Sequence, residues 1–116
     1  MNVTRADEAP PYVAPGHQGV CTKRLQGLEA GYTDRFWVGV SCYNPGGFVE
    51  KAPTGEETVY VVLDGELVVT TDGGETVLGR LDSLHLAKGE VRSVRNRSNQ
   101  EALLMVSVAH PQVRWL

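Results

Sequence analysis

A chain of 116 residues, 41% of them apolar, with a formal net charge of −3 is the size of one domain with its own core. The acidic balance and the scattered Lys and Arg residues exclude the basic face that a nucleic-acid partner wants, and they form no patch for a membrane surface. No apolar run approaches the ~20 residues of a transmembrane helix, and the opening MNVTRADEAPPYVAPG carries charge and proline where a signal peptide would be apolar, so a cytoplasmic protein is expected.

In chain order, residues 1–19 hold Pro10, Pro11, Pro15, Gly16 and Gly19 and read as an extended arm rather than a helix. The domain proper is expected over 20–116. Strands are predicted at 20–25 and more clearly at 35–43, where RFWVGVSCY is rich in aromatic and β-branched residues. Pro45-Gly46-Gly47 reads as a turn, and 58–63 (TVYVVL) as a buried strand. Asp64-Gly65 before the run 66–71 is a hairpin signal. Asp72-Gly73-Gly74 turns the chain again, and 75–78, 83–87, 91–96 and 102–109 complete the set. Turns recur at the spacing of a β-sandwich or barrel, and no segment shows a sustained helical period. Cys21 and Cys42 lie too far apart for a metal motif and are expected as reduced, buried thiols.

Two stretches resemble the signatures of the cupin family, small jelly-roll barrels. The first family pattern runs Gly, five residues, His-x-His, three or four residues, Glu, six residues, Gly. With Gly46 as its first glycine and Gly65 as its last, the spacing fits, but Ala52, Thr54 and Thr58 stand at the two His positions and the Glu position. The second pattern runs Gly-Asp, a short strand, Pro-x-Gly, two residues, His, three residues, Asn. Asp82, Gly89 and Asn96 match it, while Leu81, Ala87 and Arg92 depart. The resemblance covers about 35–110 and implies an all-β double-stranded β-helix, a homodimer that covers the sheet edges, and a family metal site of three imidazoles and a carboxylate. That site is not expected here. Alanine cannot ligate, threonine ligates weakly and a guanidinium repels a cation, so the expected protein is a cupin without a metal or other cofactor.

Strand alternation then assigns the cavity lining. If Thr58 faces inward, so do Tyr60 and Val62, with Glu57 outward; Ala52, Thr54, Glu50, Arg92 and Val94 join them. A mostly apolar cavity with hydroxyls, a phenol and a guanidinium suits a small-molecule ligand, and the Arg92 fork suits an anion such as a carboxylate metabolite. Glu50 is the expected internal partner of Arg92 if no ligand supplies the charge. His85, between Leu84 and Leu86, is the candidate base if those leucines face outward, with Tyr60 as a second proton carrier; a lyase or isomerase is the expected enzyme class. Two alternatives stay open. One is a metalloenzyme with displaced ligands Glu50, Glu57 and His85; the other is a non-catalytic ligand sensor or accessory subunit. Trp37 and Tyr43 share a strand face whose direction the sequence leaves open.

Overall fold

The computed structural model describes residues 1–111; the last five residues of the expected domain lie outside them. The described residues form eight strands and two short 3₁₀ turns, one before β1 (Ala6–Glu8) and one after it (Leu28–Ala30): β1 (His17–Gln26), β2 (Phe36–Pro53), β3 (Thr58–Asp64), β4 (Leu67–Thr71), β5 (Gly74–Leu78), β6 (Ser83–Leu86), β7 (Val91–Arg95) and β8 (Ala102–Ala109). They form an antiparallel sheet of order β5-β4-β7-β2-β8-β3-β6, with β1 along β2. The sheet folds on itself into the double-stranded β-helix of the jelly-roll class. No helix among the described residues is long and apolar enough to cross a membrane.

Period-two burial explains the strands. In β3, Thr58, Tyr60 and Val62 are buried, and in β8, Ala102, Leu104 and Val106. All of these but Thr58 build one hydrophobic core with Tyr43, Val49, Leu67, Val69, Leu78, Leu86 and Val94. Each fully buried Val or Leu contributes about 1.5–3 kcal/mol relative to exposure, which fixes the register because a one-residue slip would turn this set outward. Asn96 closes the loop between β7 and β8. It is fully buried, its Nδ2 donates to the Tyr43 and Gln100 carbonyls, and its Oδ1 accepts from the Ser98 amide and hydroxyl.

Two turn assignments change. Pro45-Gly46-Gly47 does not interrupt the strand; β2 runs through it and changes partner there, pairing with β8 over 36–43 and with β7 from Phe48 onward. Gly46 takes a left-handed φ of 81°, and a Cβ on Gly47 would collide with the Gly19 carbonyl of β1. The glycines thus serve a bend under a crossing strand. Asp64-Gly65 makes no hairpin, because β3 already has β6 and β8 on its two edges, while β4 pairs with β5 and β7. The tight hairpin is β4–β5, whose register sets Thr71 opposite Gly74 around Asp72-Gly73. The cysteines also depart from expectation: Cys21 is exposed and Cys42 half-exposed. They face each other in register, but Thr22, Arg24, Ser41 and Tyr43 take the inward positions of β1 and β2.

Candidate functional site

A cavity of ≈ 800 Å³ opens between the sheets, with walls from the N-terminal arm, β1, β2, β3, β7 and β8. Tyr60, Thr58, Thr54 and Arg92 all line it, as the alternation predicts. Tyr60 is buried on β3 and Arg92 half-buried on β7. They meet: Arg92 Nε donates to Tyr60 Oη at 3.0 Å, and Nη1 donates to the Ala52 carbonyl at 3.3 Å. Thr54 Oγ1 donates to the Ala87 carbonyl at 2.7 Å and Thr58 Oγ1 to that of Glu56 at 2.9 Å, so both hydroxyl protons are committed to holding the loop between β2 and β3. Glu50 also lines the cavity, but it is exposed and bonds no part of Arg92 among the described residues. A register shift between Val49 and Ala52 spreads Glu50 and Lys51 along the exposed rim.

His85 does not face the cavity, which corrects the reading of it as the base. Leu84 and Leu86 take the inward positions, Leu86 fully buried, because burying two leucines outweighs burying one imidazole. The His85 ring stands on the outer surface with Nε2 2.7 Å from Glu57 Oε2. The displaced metal set therefore does not assemble: Glu57 and His85 meet outside while Glu50 stands at the cavity rim. No group of three or more His, Cys, Asp or Glu side chains among the described residues is arranged to hold a metal. The family's metal does not fit the inner position either. There the chain offers a methyl group, two committed hydroxyls and a cation, none of them a ligand for a divalent ion.

Part of the site escaped the sequence reading. Tyr12, Arg24, Trp37, Ser41 and Tyr43 also line the cavity. The Arg24 guanidinium lies 3.6 Å from the Tyr12 ring centre and 4.2 Å from that of Trp37, and Nε bonds Glu29 at 3.1 Å. Tyr12 and Trp37 pack edge to face at 5.6 Å. Burial raises the phenol pKa values of Tyr12 and Tyr43, most strongly for Tyr43, so both are neutral hydrogen-bonding groups. The shared face of Trp37 and Tyr43 was visible in the sequence; its direction is set by β8 and the arm, which are remote in sequence. His17, at the start of β1, lines the cavity with Nδ1 2.9 Å from the Pro15 carbonyl. Burial, and secondarily the Arg92 charge, lower its pKa.

Chemically, the cavity combines an apolar wall of Val49, Val106 and Val108 with phenols, the Ser41 hydroxyl, two guanidinium groups and two carboxylates, Glu50 and Glu56. Glu56 is held by Lys88 at 3.5 Å.

Comparison with known proteins places these features. The cupin domain model matches residues 39–108. A Mycobacterium tuberculosis protein named beta-D-galactosidase is 70% identical over 111 residues, covering 96% of each chain. Among solved structures, the polyketide cyclase RemF from Streptomyces resistomycificus superposes with a TM-score of 0.82 at 18% identity, over 94% of this chain and 79% of the other. A predicted oxalate decarboxylase from Thermotoga maritima gives 0.76 at 26% identity, over 95% and 100%.

Proposed function

Because the chain belongs to the cupin domain family, we propose that its barrel cavity is an active site, and that the reaction is hydrolysis of a β-D-galactoside. The observation that carries this reading is the 70% identity, over nearly the whole of both chains, to a protein named for that activity. The cavity supports it. A volume of ≈ 800 Å³ accommodates a small glycoside. The valine wall suits the C–H face of a sugar ring, and the phenol and hydroxyl groups suit its hydroxyls.

Glycoside hydrolysis breaks the bond between the anomeric carbon and the leaving oxygen. One carboxylic acid gives its proton to that oxygen, and a second carboxylate attacks the anomeric carbon or activates water to do so. Glu50 and Glu56 are the two carboxylates lining the cavity among the described residues, and we assign them this pair of roles. Tyr60, whose oxygen accepts from Arg92, keeps its own proton for a sugar oxygen. No metal takes part in this scheme. It replaces the lyase or isomerase expected from the sequence, and it keeps the expected small-molecule pocket.

The test is release of nitrophenol from aryl β-D-galactoside by the purified full chain, with aryl α-D-galactoside and aryl β-D-glucoside as controls. Turnover of the β-galactoside is expected, with Glu50→Gln and Glu56→Gln each lowering kcat by about a hundredfold or more. Azide should rescue the variant that lost a nucleophile, and an activated leaving group the one that lost the acid. Absence of turnover, or activity that survives both substitutions, overturns the assignment. Galactoside binding without turnover would favour the sensor alternative.

A further inference from the structure

Arg92 is the charged group in the cavity wall that the scheme above leaves unexplained. A guanidinium carries five N–H donors and a charge that is never lost. In this structure two donors are used, both on neutral oxygens, Tyr60 Oη and the Ala52 carbonyl. The ion pairs among the described residues join Arg24 to Glu29, Arg35 to Asp34, His85 to Glu57, Lys88 to Glu56 and Arg97 to Glu75; none involves Arg92. Of the cavity carboxylates, Glu56 is taken by Lys88 and Glu50 bonds no part of Arg92 among the described residues. The terminal nitrogen Nη2 has no hydrogen-bond partner among the described residues. Beside it the Tyr60 hydroxyl, which accepts from Nε, still has its own proton to give.

A half-buried charge without a counter-ion is unfavourable, and the wall around it is apolar where Val106 and Val108 stand. An anionic group on the ligand would relieve that penalty through charge-assisted, forked hydrogen bonds, whereas a neutral hydroxyl would not. Resting on the β-galactoside reading, we propose that the sugar this site takes is itself an acid, bearing a carboxylate or a phosphate that Arg92 and Tyr60 hold. The exocyclic carbon of galactose is the natural carrier, since it can be oxidised to a carboxylate or esterified with phosphate without touching the anomeric bond to be cleaved.

Three aryl glycosides of the same leaving group test this: the β-D-galactoside, the β-D-galacturonide and the β-D-galactoside 6-phosphate. We expect one of the acidic substrates to exceed the neutral one at least tenfold in kcat/KM, and the better of the two identifies the anion. Arg92→Leu should collapse that ratio toward one; Arg92→Gln and Tyr60→Phe stand in should the leucine variant misfold. Equal or better use of the neutral galactoside by the wild-type protein overturns the inference and leaves the hydrolase reading intact. If no galactoside is cleaved, the hydrolase reading has failed and melting curves decide the inference. Stabilisation by galacturonate or galactose 6-phosphate but not galactose, lost in Arg92→Leu, supports the anion site. No such stabilisation overturns it.

Discussion

Two arginines reach into one cavity and have opposite circumstances. Arg24, on β1, is 8% exposed, sandwiched between the Tyr12 and Trp37 rings and forked onto Glu29. Its charge, its planar faces and its direction are all accounted for inside the chain. Arg92, on β7, touches neither ring nor carboxylate among the described residues and bonds only two neutral oxygens. The lesson is that a buried cation belongs to the fold when the fold supplies its counter-charge, and to the ligand when it does not. The Arg24 cluster is a finished structural joint, and the surface around Arg92 is the one proposed for recognition.

The largest effect should come from breaking the finished joint. Arg24→Leu removes two cation–π contacts and the packed stem that carries them, each contact contributing up to about 2 kcal/mol when desolvated. We expect a loss of about 2–4 kcal/mol of stability, read as a lower melting temperature and a lower denaturant midpoint with unchanged slope. An unchanged midpoint would mean that the aromatic sandwich does not hold the arm to β1.

Most of the strands were legible because period-two burial survives in β3 and β8, and the same alternation placed Tyr60, Thr54, Thr58 and Arg92 in one cavity. What alternation cannot supply is the sign. His85 and its flanking leucines alternate as expected, yet the inward face is chosen by the packing of Leu84 and Leu86 against the core, a fact of tertiary structure. The Arg24 wall was less legible still. It needs the arm, β1 and the first half of β2 to converge, and nothing local marks Arg24 as buried except the alternation of Thr22 and Arg24 with Cys21 and Lys23. The two glycine turns failed for a related reason: Gly47 answers to a close approach by Gly19, and Gly65 to one by Glu101 and Ala102, which come from elsewhere in the chain.

A smaller effect on the free protein is expected at the Arg92 surface. Arg92→Leu removes a charge that has no counter-ion among the described residues, so stability should stay within about 1 kcal/mol of wild type or rise. The comparison fails if this variant loses as much as Arg24→Leu, because Arg92 would then have a structural partner of the kind Glu50 was expected to be. Melting curves of both variants under one buffer decide it.

The smallest effect, and the finest probe of the Arg92 surface, is the titration of His17. Burial, with a lesser contribution from the Arg92 charge, holds its pKa below the ordinary 6.5 against the opposing hydrogen bond to the Pro15 carbonyl, so the folded protein resists the proton that the unfolded chain accepts. Its contribution to stability is therefore present above pH 6.5 and lost as pH falls from there through the folded pKa. His17→Gln should flatten that slope. Arg92 is the charged side chain acting on His17, so an anion seated on the guanidinium should cancel part of its field and raise the imidazole pKa toward 6.5. Binding then takes up protons, and galacturonate should bind more tightly on the acid side of that window, subject to its own carboxylate remaining ionised. The shift should be partial, because burial remains the larger cause. It is read from the His17 ring resonances titrated with and without galacturonate. A pKa that does not move, in protein shown by melting curves to be saturated, would place the anion away from Arg92.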